Sequence, residues 1–165
     1  MQFLSVLLSN KESKKKGEIL MKMRSTVLIV ALMLGIALVF HAPAAFAKDM
    51  TAQDLVEEAK KNITMSTLED AKALFDKGGV IFLDCREAKE YKAGHIPGAI
   101  NISRGLLEFQ IEGKIPEKNA TIVIYCKSGG RGCLACESLA KMGYKNVKNM
   151  EGGWLAWEKA GYPVD

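Results

Sequence analysis

The sequence has no basic stripe interleaved with aromatics, and aromatic residues make up only 7% of its 165 positions. That scarcity excludes the usual electrostatic and stacking footprint of a nucleic-acid binder. It has no internal repeat and no low-complexity segment, so it does not read as a repeat array. No cysteine precedes Cys85, which leaves a lipoprotein anchor without an attachment point. The apolar run from Thr26 to Phe40 falls short of the ~20 residues that span a bilayer comfortably.

What the N-terminal part does contain is a leader. Met21-Lys-Met-Arg24 is a basic start, Thr26–Phe40 an uncharged apolar run, and Ala45-Phe46-Ala47 a small-residue exit before polar sequence. This is the order of a secretory signal, and cleavage is expected after Ala47. The chain is therefore expected to be exported, periplasmic or extracytoplasmic, meeting a membrane only through an uncleaved leader. Lys16-Gly17-Glu18 can be encoded by a purine-rich, ribosome-binding-like run, so translation is expected to start at Met21 or Met23. Of 23 Lys and Arg and 19 Asp and Glu, six basic and two acidic residues lie in the first 47; the remainder holds 17 of each. The mature part is thus formally neutral.

The rest alternates apolar strands with amphipathic helices. Met50–Asn62 reads as a helix capped by Thr51, and Ile63–Met65 as an extended piece. Ser66-x-x-Glu69 reads as a capping box opening a helix that Gly78-Gly79 ends. Val80–Asp84 and Thr121–Tyr125 are continuous apolar strands, as in a sheet covered on both faces. Leu106–Phe109 suggests one helical turn and Glu112–Pro116 a loop. Helices are expected over Arg131–Met142 and Gly152–Ala160, and a strand over Val147–Asn149. Such alternation indicates a parallel α/β sheet, whose ligands sit at the carboxyl ends of the strands. Asp84 and Cys126 both lie at such ends.

Cys126 follows its strand directly and is followed by Lys127-Ser128-Gly129-Gly130-Arg131-Gly132 at the start of a helix. The first turn of a helix has unpaired N–H groups and a positive dipole end, which together stabilise an anion. A thiolate is such an anion, so this cup lowers the thiol pKa and makes a nucleophile. A strand-end cysteine is more often a small buried apolar residue. Here the glycine turn, two cations and a helix arrive together, which favours the nucleophile.

Three ordered motifs carry a resemblance. Leu83-Asp84-Cys85-Arg86-x3-Glu90-Tyr91-x2-Gly94-His95-Ile96-Pro97-Gly98-Ala99 is similar to the first signature of rhodanese domains. Cys126-x-x-Gly129-x-Arg131 resembles their active-site loop, and Met150-Glu151-Gly152-Gly153-Trp154-x-Ala156-Trp157 their C-terminal signature. The resemblance implies a rhodanese domain over 66–165, behind a leader (1–47) and an N-terminal helix and extension (48–65). It implies an α/β fold with a five-stranded parallel sheet flanked by helices. It implies sulfurtransferase chemistry, in which Cys126 takes sulfane sulfur from thiosulfate or a similar small anionic donor. The resulting persulfide passes sulfur to a thiol, cyanide or a protein acceptor, with no metal or organic cofactor. Lys127, Ser128, Gly129, Gly130, Arg131 and Gly132 would bind the substrate, and an Asp84–Arg86 ion pair would brace the loop.

Four residues separate Cys126 from Arg131. Phosphatases and arsenate reductases with related cups use five, so a tetrahedral oxyanion fits them; the shorter cup suits a single sulfur. An alternative reading is a polysulfide or sulfane-sulfur carrier that delivers to a partner protein. A scaffolding module is disfavoured because the cysteine and its loop are intact. His95 lies in a turn and reads as structural, and Trp154 and Trp157 as core. Cys133-Leu-Ala-Cys136 lies within a helix rather than at its start, unlike a redox motif. Cys133 is expected near Cys126 as a candidate resolving thiol, and Cys136 at a buried small position. Gly132 departs from the hydroxyl residue often found there in the family.

Overall fold

The computed structural model describes residues 15–18, 20–28 and 49–165. Residues 20–28 are helical, and they belong to a different compact unit from Asp49–Asp165. Most of the apolar run Thr26–Phe40 and the expected cleavage point after Ala47 lie outside the described residues. Among the described residues no helix is long and apolar enough to cross a membrane.

The unit Asp49–Asp165 carries five strands: β1 (Thr64–Ser66), β2 (Ile81–Asp84), β3 (Ile100–Asn101), β4 (Thr121–Tyr125) and β5 (Asn146–Met150). Six helices surround them: α1 (Ala52–Asn62), α2 (Leu68–Lys77), α3 (Ala88–Lys92), α4 (Leu107–Lys114), α5 (Gly130–Lys141) and α6 (Gly153–Lys159). The strands pair in parallel in the order β1-β5-β4-β2-β3. The expected five-stranded parallel α/β fold is therefore what the chain forms.

Alternation along the two central strands builds both cores. Phe82, Val123 and Tyr125 face α2 and α6, whereas Leu83, Ile122, Ile124 and Cys126 face α4 and α5. Trp157 of α6 is fully buried and meets Phe75, Phe82 and Tyr162 edge-on at 5.5, 5.7 and 5.1 Å between ring centres. Each such pair adds about 0.5–1.5 kcal/mol beyond the area it buries. They anchor α6, whose first turn lies at the site described next.

Two local expectations are corrected. The cap of α2 is Thr67, whose hydroxyl accepts the Asp70 N–H at 3.1 Å. Ser66 instead belongs to β1, paired with Met150, so the strand claims the residue that the capping pattern pointed to. The single turn expected at Leu106–Phe109 runs on through Lys114 as α4, because Leu107 and Ile111 bury one face in the core. The helical period was diluted there by exposed Leu106 and Phe109.

Candidate active site

β4 delivers Cys126 to the carboxyl edge of the sheet, where its side chain is 1% exposed. The chain then turns through Gly129 at φ 104°, a left-handed conformation that a side chain would strain. This turn aims the Gly129 N–H at the Cys126 sulfur, 3.1 Å away. The backbone N–H groups of Gly132, in the first turn of α5, and of Ser128, in the turn before it, also favour the anionic sulfur.

The strongest influence on Cys126 is a different one. The Cys85 thiol hydrogen-bonds to Cys126 and, with the three amides, outweighs the penalty of burial. The Cys126 thiol pKa falls to about 5, so the sulfur is a thiolate at neutral pH. The same hydrogen bond, together with burial, pushes Cys85 well above an ordinary thiol, so Cys85 keeps its proton and donates. Sequence reading missed this role. Its signal was the parallel pairing of two strands that are each followed directly by a cysteine: Asp84 is registered with Tyr125, which makes Cys85 and Cys126 the next neighbours.

The loop is held from outside by α6. Trp154 N–H donates to the Cys126 carbonyl at 2.8 Å, and Leu155 N–H to that of Lys127 at 3.1 Å. This contact requires Gly153: at φ 58°, an added Cβ would lie 2.4 Å from the Cys126 carbonyl oxygen. The Gly-Gly-Trp signature is thus a clasp on the loop backbone.

Asp84 and Arg86 form the expected ion pair, fully buried, with Arg86 Nη2 2.7 Å from Asp84 Oδ2 and also donating to the Gly94 carbonyl. The Arg86 guanidinium lies 4.6 Å from the ring of Trp154. The pair sits on the sheet face opposite Cys126, with the Arg86 guanidinium over the rings of both Trp154 and Tyr125.

Lys127 and Ser128 are exposed at the rim, while Gly129 and Gly132 are buried. Arg131 is not a free cation. Its Nη1 and Nη2 bind both oxygens of Glu90 at 2.9 and 3.0 Å, holding the Glu90 carboxyl at about 2. Glu90 lies in the first motif but was assigned no role from sequence. Its carboxylate also accepts the Glu87 N–H, so one residue caps α3 and orients Arg131.

Cys133, expected near Cys126, has Asn149 as its hydrogen-bond partner. Its sulfur accepts Asn149 Nδ2 at 3.2 Å and lines a cleft of about 520 Å³ behind the loop. Helix α1 forms one wall of that cleft through Gln53, Val56 and Lys60. Cys136 is buried in the core, as expected. His95 donates from Nδ1 to the Tyr91 carbonyl and stacks on the Tyr91 ring, a structural role. Trp154 and Trp157 are core residues.

Asn149 also accounts for Gly132. A Cβ at position 132 would lie 2.0 Å from Asn149 Oδ1, while Asn149 Nδ2 donates to the Gly129 carbonyl at 3.3 Å. Gly132→Ala is expected to destabilise the fold by about 1–3 kcal/mol in urea unfolding. Adding Asn149→Ala should recover part of that loss; strictly additive losses would contradict the steric pairing.

The rhodanese-like domain family model matches residues 67–160, more than half of the chain. The chain belongs to this family. The rhodanese domain is 37% identical over 91 residues to a sulfurtransferase of Allochromatium vinosum, covering 55% of this chain and 83% of that protein. It is 36% identical over 104 residues to the thiosulfate sulfurtransferase GlpE of Pseudoalteromonas translucida, covering 62% and 92%. A solved Rhodopseudomonas palustris structure, described as a protein of unknown function and possible tyrosine phosphatase, superposes with a TM-score of 0.67. It is 32% identical, over 72% of this chain and 97% of that one. The family and its sulfurtransferase relatives assign this rhodanese domain to sulfur transfer in general.

Proposed function

We propose that the chain is a thiosulfate-type sulfurtransferase working through a persulfide on Cys126. The observation that carries this is the buried Cys126 sulfur at the head of α5, with the Gly129 N–H aimed at it from 3.1 Å; its thiol pKa is lowered to about 5. In the first half-reaction the Cys126 thiolate attacks the outer sulfur of thiosulfate. The S–S bond of the donor breaks, and its electron pair leaves with sulfite. The persulfide anion that remains sits under the same N–H groups, which stabilise it as they did the thiolate. In the second half-reaction a nucleophile such as cyanide takes the outer sulfur, leaving as thiocyanate, and the Cys126 thiolate returns. No proton transfer and no metal or organic cofactor is required by this balance.

Two half-reactions through one covalent intermediate predict ping-pong kinetics. Initial rates with thiosulfate and cyanide should give parallel double-reciprocal lines; intersecting lines would contradict the scheme. A stable persulfide with negligible turnover would favour the carrier reading instead. The four-residue spacing from Cys126 to Arg131 supports sulfur over phosphoryl transfer, so phosphomonoester hydrolysis should be undetectable.

Lys127 is the rim cation that meets the donor, because Glu90 already pairs with Arg131 and Lys127 forms no ion pair among the described residues. Lys127→Ala should raise KM for thiosulfate about 3–10-fold, with little change in kcat, and the effect should shrink as salt is added. A salt-independent effect, or a fall in kcat alone, would place the lysine elsewhere.

A further inference from the structure

The mechanism uses Cys85 only as a hydrogen-bond donor, yet its position permits more. β2 and β4 run parallel with Asp84 registered on Tyr125, and Cys85 N–H donates to the Tyr125 carbonyl at 2.9 Å, extending the ladder by one residue. Cys85 and Cys126 are therefore nearest neighbours across the ends of two strands. Registered residues of parallel strands point to the same face, and neighbouring strands lie ~4.8 Å apart. That spacing falls within the ~4.4–6.8 Å between Cα atoms that a disulfide spans. The two side chains share one core cluster, and each thiol is the first-ranked influence on the ionisation of the other. Cys133 is the other candidate, but its sulfur is engaged by Asn149 at the cleft.

We propose that Cys85 is the resolving thiol of Cys126: after a peroxide oxidises Cys126, Cys85 closes a Cys85–Cys126 disulfide that stops sulfur transfer and keeps the nucleophile recoverable. The proposal rests on the reading of Cys126 as the nucleophile. In the first step the Cys126 thiolate attacks one oxygen of hydrogen peroxide, the O–O bond breaks, and hydroxide leaves. Cys126 becomes a sulfenic acid, oxidised by two electrons. In the second step the Cys85 sulfur attacks the Cys126 sulfur and the S–O bond breaks. The Cys85 proton leaves with that oxygen as water. A dithiol reductant reverses the bond by two exchanges and restores both sulfurs.

The contact also explains why Cys85 is quiet at rest. While Cys126 is anionic, Cys85 holds its proton and is a poor nucleophile. Oxidation removes the negative charge beside it and with it one reason for holding the proton. Resolution is thereby coupled to oxidation. Without a neighbour, a sulfenic acid exposed to more peroxide advances irreversibly to sulfinic acid.

The test treats the reduced full chain with a few equivalents of hydrogen peroxide at neutral pH, blocks free thiols, and maps peptides without reduction. The expected result is a Cys85–Cys126 crosslinked peptide, loss of sulfur transfer, and its return on adding dithiothreitol. Cys85→Ser keeps a hydroxyl donor beside Cys126 but lacks the sulfur. At the same peroxide dose it should accumulate Cys126 sulfinic acid and stay inactive after dithiothreitol. Cys133→Ser should still form the crosslink. A Cys126–Cys133 crosslink in the unmodified chain would overturn the proposal. So would Cys126 sulfinic acid forming as fast there as in Cys85→Ser. Thiosulfate treatment separates this from the parent reading. A crosslink without any cyanide-removable sulfur on Cys126 rejects the sulfurtransferase and keeps the switch. Removable sulfur without a crosslink does the reverse.

Discussion

Cys126→Ser is expected to lower thiosulfate:cyanide turnover by more than about a thousandfold while leaving the fold in place. The reason is the charge rather than the size of the side chain. At neutral pH Cys126 is a thiolate, since its thiol is held at about 5. A serine hydroxyl in the same cup stays protonated and cannot attack the donor sulfur. It still accepts from the loop amides and fills nearly the same volume beneath Gly129. Thermal unfolding should therefore shift by only a few degrees, which separates a lost nucleophile from a lost fold. Turnover within tenfold of the unmodified chain would place the chemistry on another residue.

Cys85→Ala carries the second large effect and reaches the nucleophile from one residue away. The Cys85 thiol is the leading cause of the lowered Cys126 pKa, ahead of the amides of Gly132, Ser128 and Gly129. A hydrogen bond to a charged group contributes about 1.5–3 kcal/mol, which corresponds to roughly one to two pKa units. Removing it favours the protonated form, so the Cys126 pKa moves upward from about 5. The thiolate fraction then falls most between about pH 5 and 6 and little near pH 8. Iodoacetamide alkylation of Cys126 should accordingly slow about tenfold at pH 5.5 and be almost unchanged at pH 8. Cys85→Ser, which keeps an O–H donor, should restore most of the low-pH reactivity. A merely structural role for Cys85 would not move the pH profile, and an unshifted profile in Cys85→Ala would contradict the assigned hydrogen bond.

The fold was legible because its two long apolar strands and glycine-terminated helices carry strong periodic signals. The strands expected at Ile63–Met65, Val80–Asp84, Thr121–Tyr125 and Val147–Asn149 all form; two of the shorter elements were misread where tertiary contacts outvoted local pattern. Ser66 joined a strand instead of capping α2, and α4 extended because Ile111 found the core. The loop from Cys126 to Gly132 was legible as a cup because residue order alone dictates it. Three features were not, and each depends on residues far apart in sequence. Cys85 reaches Cys126 across two strands, and Glu90 holds Arg131 from another helix. Asn149 fills the space over Gly132 from β5, so the missing side chain there is a packing consequence. Strand register supplies the first of these pairings, yet only once β2 and β4 are known to be adjacent.

The central claim is that Cys126 carries the transferred sulfur. Intact-mass and peptide mass spectrometry of the reduced chain after thiosulfate treatment tests it most directly. The account predicts a gain of about 32 Da confined to the Cys126 peptide, removed by cyanide and absent in Cys126→Ser, which separates it from irreversible sulfinic acid of nearly equal mass. No added mass on that peptide, or cyanide-removable sulfur on Cys133 instead, would contradict it.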